Sequence, residues 1–217
     1  MDRSIVHCRT ASTRDGLPTT LKGAWCLPKF RRSIRRSSKA ETCFSYRQST
    51  TKADLLSRTK GGDPGFVRVL DNKTVAFPCY DGNGMFYSMG NLLGNHQVGM
   101  LFINFEKPHR LRLQGIASID NNDSLREEYA EAQLIVRVTV TEIFRNCPRY
   151  VHNYKKVGPS EFVPRSTCET PLAPWKRVDD MQASLPAKDR ARVAREGGLM
   201  SRAEYEKYMT DVAGRQS

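Results

Sequence analysis

The stretch VGMLFINFEKPHRLRLQGIA, residues 98–117, decides the fold that the sequence predicts. Its first part, residues 98–105, is a nearly continuous apolar run, which is typical of a fully buried strand. After a polar turn, residues 111–117 alternate apolar and polar side chains, as a half-buried strand does. Gly115 inside this second strand predicts a bulge or the close approach of another backbone.

Further strand patterns lie on both sides of this stretch. Residues 132–144, AQLIVRVTVTEIF, alternate β-branched and polar residues and predict another strand. Residues 66–70 and 74–77 are two short strand patterns joined by a polar turn, which predicts a hairpin. Between the hairpin and the central stretch, residues 85–93 have apolar residues at helical spacing, and the following Gly-Asn pair predicts the end of that helix.

Helical signals are confined to short segments and to the C-terminal end. Ser124 is the predicted N-cap of a short helix, with Glu127 as its capping-box partner. Residues 185–196 and 201–213 are polar helical stretches. The pattern therefore predicts a β-rich α+β fold, a barrel of about six antiparallel strands with small helices and a helical tail, and not an alternating βαβ sheet.

The net charge of +12 is unevenly distributed along the 217 residues. Residues 1–60 contain fourteen Lys or Arg and four Asp or Glu, whereas the rest of the chain contains twenty-one and nineteen. A nucleic-acid-binding domain is expected to have its basic patch on the folded core. Because the predicted core is nearly neutral, nucleic acid is not the expected partner.

The basic excess belongs to a Ser-, Thr- and Arg-rich leader, residues 1–59, which has no sustained strand or helix period. Four interpretations stay open: a solvated arm, an arm that binds an anionic surface, an organellar transit peptide, or an altered reading frame just before Lys60. We expect this leader to be mostly irregular.

The sequence also argues against several classes of protein. Its apolar runs are far shorter than the ~20 residues of a membrane helix. Six cysteines without a C-x-x-C pair or a nearby histidine predict free thiols and no metal site. Without a secretory signal, a cytoplasmic location is expected. No triad, paired-carboxylate or phosphate-loop motif identifies a catalytic residue, so an enzyme of this sequence is expected to use a cofactor.

Four blocks of sequence resemble a known family. They are KGGDPGFVRVLD at 60–71, TVAFPCYDGNGMFYSMGNLLGNHQVGMLFINFE at 74–106, RLRLQGIA at 110–117 and FRNCPRY at 144–150. In order and spacing they are similar to the pyridoxamine 5′-phosphate oxidase-like flavoproteins, the FMN-binding split-barrel superfamily, and most of all to its bacterial oxidase branch.

This resemblance implies a split barrel that forms a homodimer, with FMN at the interface between the two protomers. It implies an FMN-binding core at residues 60–155, followed by a Pro-interrupted segment with C-terminal helices at 156–217. The cofactor-binding residues that it implies are Lys60, Gly61, Arg68, Tyr80, Asp81, Asn83, Gly84, Ser88, Asn91, Arg112 and Gln114.

The chemistry of these residue types is consistent with a phosphate site. Asn83 and Gly84 lead into the predicted helix, and a helix start offers backbone N–H groups to an anion. An arginine adds a bidentate clamp. From the residues alone, however, Arg68 and Arg112 equally suit outward-facing barrel positions, and the Gly-rich loop equally suits a plain turn.

The sequence departs from the family pattern at two places. Residues 85–88, MFYS, replace the cationic phosphate cluster of the vitamin B6 oxidases, so pyridoxamine phosphate is not the expected substrate. Residues 44–59 stand where the family has an alternating first strand. We therefore expect the barrel to lack or distort that strand, which would weaken the cofactor site.

The predicted function is an FMN-dependent oxidoreductase whose substrate is unknown. Three alternatives stay open: a non-catalytic flavin- or haem-binding split-barrel protein, a deazaflavin coenzyme in place of FMN, and a nucleic-acid binder that uses the basic leader.

Overall fold

The structure, a computed structural model, describes residues 43–49, 55–82, 84 and 86–214. The strands are β1 Cys43–Ser49, β2 Leu55–Gly61, β3 Arg68–Val69, β4 Thr74–Cys79, β5 Gln97–Asn104, β6 His109–Asp120 and β7 Leu134–Asn146. The helices are α1 Tyr87–Gly94, α2 Ala187–Arg195 and α3 Arg202–Gly214, with short 3-10 helices at Ser124–Glu128, Pro174–Arg177 and Asp179–Ser184.

All seven strands belong to one curled antiparallel sheet in the order β2-β1-β5-β6-β7-β4-β3. The longest pairing joins β6 to β7, which are consecutive in the chain, and β5 pairs with β6 in the same way. Inward-facing side chains of the curled sheet form the main hydrophobic core, and Ala76, Leu125 and Ile135 form a smaller second cluster. The predicted β-rich split barrel with a helical tail is confirmed, with seven strands where about six were expected.

An aromatic cluster occupies the centre of this core. The ring centroid of Phe44 lies 5.0 Å from that of Phe77, 5.2 Å from that of Phe102 and 5.8 Å from that of Phe66. Tyr46 packs edge-on against Phe77 at 6.0 Å. Aromatic pairs at these separations contribute about 0.5–1.5 kcal/mol each beyond the area that they bury, so β1 is anchored to the sheet through its side chains.

The expectation of an irregular leader is wrong for the part of the leader that the structure describes. β1 pairs along its length with β2 and pairs with β5 on its other side, so a first strand is present. Phe44 and Tyr46 are 1% and 0% exposed, while Ser45 and Arg47 face outward. This alternation of buried and exposed residues is only a few residues long. Because the flanking residues are basic and polar, the sequence pattern does not distinguish it from an irregular segment. Residues 1–42 lie outside the described residues.

The bulge predicted at Gly115 is confirmed. The β6–β7 register shifts between Gln114 and Gly115. A Cβ atom at Gly115 would lie 2.5 Å from the carbonyl oxygen of Thr139, closer than real Cβ contacts come. Only glycine therefore allows the two strands to approach at this point.

The hairpin and the first helix also form as predicted. In the β3–β4 turn, the Asp71 carboxylate accepts hydrogen bonds from the backbone N–H groups of Lys73 (2.7 Å) and Thr74 (2.9 Å). α1 begins two residues later than the pattern indicates and ends at Gly94, where the N–H of Asn95 bonds to the carbonyl of Asn91.

The predicted capping box at Ser124 is wrong by one residue. Asp123 caps this 3-10 helix, because its carboxylate accepts from the N–H of Leu125 at 3.0 Å. The same carboxylate receives two bonds from the guanidinium of Arg137 on β7, at 2.5 and 2.8 Å. These bonds hold the pKa of Asp123 below its usual range. The two oxygens of the carboxylate accept all three bonds, whereas a serine hydroxyl has one oxygen and no charge and cannot form a bidentate pair with arginine.

The C-terminal tail forms helices where the sequence predicted them. α2 and α3 correspond to the polar stretches at 185–196 and 201–213. The two 3-10 helices before α2 and the loop before α3 are joined by a parallel bridge between Val178 and Met200. Backbone hydrogen bonds within the tail therefore help to hold its helices together.

The first prediction tests whether β1 is a core strand. The hydroxyl of Tyr46 is buried and has no hydrogen-bond partner in the described part of the chain. Since an unpaired buried hydroxyl costs about 1–3 kcal/mol, Tyr46→Phe is expected to raise the free energy of unfolding, measured by urea denaturation. Phe44→Ala is expected to lower it by about 3–5 kcal/mol, and the outward-facing Arg47→Ala to leave it unchanged. Three neutral variants would show that β1 does not pack in the core.

Candidate functional site

A cleft of about 390 Å³ opens between β2, the end of β4 and the start of α1; we call it the β2–α1 cleft. Its volume lies within the range of small-molecule sites, roughly 300–1,000 Å³. Strand β2, which is an edge strand of the sheet, contributes four consecutive residues to the lining. The lining residues are Ser57, Arg58, Thr59 and Lys60 of β2, then Cys79, Tyr80, Gly82 and Gly84, and finally Phe86, Tyr87, Ser88 and Met89.

Two cations of β2, Arg58 and Lys60, line this cleft. Among the described residues neither has a carboxylate within ion-pair distance. The guanidinium carbon of Arg58 lies 5.6 Å from the ring centroid of Tyr87, which fixes the side chain over an aromatic face. Its Nε is buried without a hydrogen-bond partner in the described region. A buried donor of this kind can take an acceptor oxygen from a bound anion or from water.

The N-terminus of α1 faces the same cleft. Gly84 and Phe86 have positive φ angles of 73° and 46°, and they turn the chain sharply into the helix. The first N–H groups of a helix have no intrahelical partner and carry a partial positive charge. Ser88, in the first turn, is only 5% exposed. Two cations, a buried hydroxyl and a helix N-terminus therefore converge on one cleft, and this arrangement favours an anion.

The inner wall of the cleft is uncharged. Burial raises the pKa of the Cys79 thiol, and nearby Lys60 opposes this only in part. Burial also raises the pKa of the Tyr80 hydroxyl. Both groups therefore stay protonated at neutral pH, Cys79 as a thiol and Tyr80 as a phenol that can donate or accept a hydrogen bond.

A second cleft, of about 460 Å³, lies on the other side of Tyr80. We call it the strap cleft, because residues 156–164 form a strap along one wall. The opposite wall is the turn after β2. Residues of this turn are Gly61, Gly62 and Asp63, and those of the strap include Lys156, Pro159, Phe162 and Pro164. Tyr80 lines both clefts, so the two spaces are neighbours.

A buried ion cluster connects the tail to the loop after β4. The ammonium of Lys176 lies 2.9 Å from Asp189 and 3.7 Å from Asp81, and that of Lys188 lies 3.4 Å from Asp81. Lys176 and Asp189 are 8% and 7% exposed. Because Asp81 lies between Tyr80 and Gly82, both of which line the β2–α1 cleft, this cluster holds one wall of that cleft in place.

The structure brings four of the predicted cofactor-binding residues to the β2–α1 cleft. They are Lys60, Tyr80, Gly84 and Ser88. Gly61 lines the neighbouring strap cleft. Five predicted residues line neither cleft: Arg68, Asp81, Asn91, Arg112 and Gln114. Asn83 lies outside the described residues.

The positions of these five have clear physical reasons. Arg68 bonds to Glu128 and lies over the ring of Tyr129, with 4.6 Å from its guanidinium carbon to the ring centroid. The carboxylate of Asp81 forms ion pairs with Lys176 and Lys188 of the C-terminal tail. Asn91 is on α1, one residue before the buried Leu92. The side chains of Arg112 and Gln114 project from the exposed outer face of β6, as expected for ordinary barrel residues.

Sequence reasoning missed Ser57, Arg58 and Thr59, which line the cleft from β2. They lie within the segment expected to be irregular, where the sequence predicts no site. Only a short feature of the sequence could have identified these three residues as part of the cleft. A second strand ending in the Lys-Gly-Gly turn would place the residues just before that turn beside the predicted glycine-rich loop.

No protein-family model and no curated protein matches this chain. Among solved structures, HupZ from Group A Streptococcus is 14% identical, with a TM-score of 0.45 over 57% of this chain and 98% of that one. A protein of the pyridoxinephosphate oxidase family, related to general stress protein 26, from Clostridium acetobutylicum is 12% identical (TM-score 0.41; 58% and 92% covered). The heme storage protein HutZ from Vibrio cholerae is 13% identical (0.40; 53% and 93%).

The chain resembles the pyridoxamine 5′-phosphate oxidase-like split barrels. At identities of 12–14% and TM-scores below 0.5, these similarities assign neither a cofactor nor an activity to it.

Two other kinds of feature are absent from the described part of the chain. None of its helices has the length and apolar character needed to cross a membrane. No group of three or more His, Cys, Asp or Glu side chains that could hold a metal ion occurs there.

The second prediction concerns the buried ion cluster. Lys176→Met leaves Asp189 buried and unpaired, and removing one partner of a buried ion pair costs about 3–5 kcal/mol. We expect a loss of this size in the free energy of unfolding by urea. The matched variant Lys188→Met removes a side chain that is 62% exposed, so a loss of at most about 1 kcal/mol is expected. Equal losses in the two variants would contradict the assignment of the buried lysine as the anchor.

Proposed function

We propose that the β2–α1 cleft binds FMN and that the protein is an FMN-dependent oxidoreductase. The observation that supports this most strongly is the unpartnered, buried Nε of Arg58 beside Lys60 and the start of α1. A phosphate-bearing cofactor supplies the acceptor oxygens that this group of donors lacks.

The phosphate end of FMN suits the outer part of the cleft. Arg58 offers a planar fork of N–H donors and Lys60 a mobile point charge. Ser88 offers a hydroxyl, and the first N–H groups of α1 point toward the same space. Together these groups balance the charge of a phosphate without help from a metal ion.

The inner wall suits the uncharged ring system of a flavin. Cys79 is a buried apolar thiol, and Met89 is a buried, polarizable side chain next to it. Tyr80 keeps its proton, so it can bond to a ring carbonyl or nitrogen without adding charge. When bound, FMN supplies the redox chemistry, and the protein's residues bind, orient and shield it.

Haem is the less supported alternative. Haem iron in proteins is held by His, Cys thiolate, Met or Tyr. Among the described histidines, none lines either cleft. Burial disfavours the thiolate of Cys79 and the phenolate of Tyr80 as ligands. Tyr87 and Met89 also line the β2–α1 cleft, but the two cations of β2 beside them match a phosphate better than an iron ion. A deazaflavin coenzyme and a non-catalytic flavin-binding role would use the same donors as FMN, so spectra and turnover must distinguish them.

The third prediction tests the phosphate donors. Arg58→Gln and Ser88→Ala are each expected to weaken FMN binding by about 10- to 100-fold, since a hydrogen bond to a charged group contributes about 1.5–3 kcal/mol. Quenching of flavin fluorescence measures the affinity. Arg47→Gln, which removes an equal charge from the outer face of the neighbouring strand, is the matched control and is expected to change the affinity little.

Equal FMN affinity in the Arg58 and Arg47 variants would contradict the placement of the phosphate. Absorbance of the purified full chain distinguishes the cofactors, since a flavin, a deazaflavin and a haem have different visible bands. Bleaching of bound flavin by NADH or NADPH, followed by reoxidation, would separate an oxidoreductase from a protein that only binds flavin.

We also propose that the protein is a homodimer, as the family resemblance implies. Support comes from apolar side chains that the described chain leaves exposed on α1 and on the outer face of the sheet. Leu93 of α1 is 79% exposed, and Ile116 of β6 is 44% exposed. Leu101 and Ile103 of β5 are half-buried on the same outer face of the sheet. A two-fold pairing of such surfaces would cover them.

The fourth prediction tests this pairing. Light scattering of the purified protein is expected to give twice the mass of the chain. Leu93→Asp together with Ile116→Asp is expected to give the monomer mass, whereas Val157→Asp, at a fully exposed position of the strap, leaves the dimer intact. A monomeric wild-type protein with flavin bound would contradict the proposal.

A further inference from the structure

The strap cleft differs from the β2–α1 cleft in its chemistry. Its walls are mostly apolar: Phe162, Val163, Pro159 and Pro164 come from the strap, and Tyr80 comes from the barrel. The β2–α1 cleft has two cations and a helix start, whereas this one has an aromatic and proline-rich surface. Apolar walls with few polar groups are typical of sites for small organic molecules.

One cation that lines the strap cleft has no carboxylate partner among the described residues. The carboxylate of Asp63 is bound by the guanidinium of Arg165 through two hydrogen bonds of 2.7 and 2.8 Å. Lys156 also lines the cleft, and its ammonium has no carboxylate within ion-pair distance in the described part of the chain. A ligand in this cleft therefore meets an apolar surface, a neutralised carboxylate and one unpaired positive charge.

The strap is held in position by contacts outside the apolar surface. The bidentate Arg165–Asp63 pair ties its C-terminal end to the turn after β2. At its other end, the backbone N–H of Lys156 donates to the Glu106 carboxylate at 3.0 Å. Since both ends are fixed to the barrel, the cleft is preformed, and preformed walls reduce the ordering cost of binding.

We propose that the strap cleft is the substrate site, and that it takes a planar, apolar organic molecule with one anionic group. The assignment as a substrate site rests on the proposed function, because it places the molecule across Tyr80 from the flavin. The aromatic part of the ligand packs between Phe162 and Tyr80, and its anionic group pairs with Lys156. The chemical class follows from the lining and does not depend on which cofactor occupies the β2–α1 cleft.

The test uses the full chain, with and without FMN, and the fluorescent probe anilinonaphthalene sulfonate, an aromatic anion. We expect binding to weaken about fivefold in Lys156→Gln, as for a partly exposed ion pair. In Phe162→Ala we expect binding to weaken by about three- to tenfold through lost aromatic contact. The matched controls are Lys155→Gln and Val157→Ala, which lie in or beside the strap but do not line the cleft.

A neutral competitor, naphthylmethanol, separates charge from packing. Its inhibition constant, corrected for the probe affinity of each variant, is expected to be the same for the wild-type protein and Lys156→Gln, and higher for Phe162→Ala. Probe affinity that is unchanged in both test variants, or lowered equally in the controls, would overturn the proposal. Displacement of the probe by FMN would also overturn it, because the two ligands would then share one cleft. FMN affinity is measured on the same variants, so a protein that binds the probe as expected but not FMN disproves the cofactor and leaves the strap cleft as a binding site.

Discussion

The contact on which the rest of the structure depends is the packing of Phe44 against Phe66, Phe77 and Phe102. These rings belong to β1, the turn after β2, β4 and β5, so one cluster joins segments from both halves of the sheet. Without these contacts, β1 would be held by backbone bonds to an edge strand and to β5, and by Tyr46 packing against Phe77. With the rings in place, β2 is fixed beside β1, and Arg58 and Lys60 are presented to the cleft. The cofactor site proposed for this chain is therefore a consequence of aromatic burial some distance from it.

The sequence predicted the central strands of the fold but not β1, and the difference has physical reasons. Long strands such as β5, β6 and β7 have clear patterns, since each buries many side chains against the core. The close approach at Gly115 is also visible in the sequence, because a glycine inside a strand pattern usually marks a bulge or a neighbouring backbone. β1 has only Phe44 and Tyr46 on its buried face among basic and polar neighbours, so its pattern is too short to distinguish from an irregular segment.

Residues that line the β2–α1 cleft were predictable where a turn or a helix start required particular residue types. Gly84 and Ser88 are of this kind, because a positive φ and a first helical turn select glycine and small polar residues. Arg58 and Arg112 show why residues on strands could not be assigned to the cleft from the sequence. Both are arginines on strands, and which face each occupies depends on strand register, which composition does not reveal. The register places Arg58 in the cleft and Arg112 on the outer face.

The tail has an electrostatic role that its position in the chain does not suggest. Asp63 and Asp81 flank Tyr80 at the two clefts, and as free carboxylates they would repel an anionic ligand at either one. Arg165 binds the first, and Lys176 and Lys188 bind the second. All three cations come from the segment after the barrel. Pairing of these carboxylates would strengthen the net attraction of the cleft cations for an anionic ligand. In the proposed site, the docked tail would therefore support anion binding by cations that belong to β2.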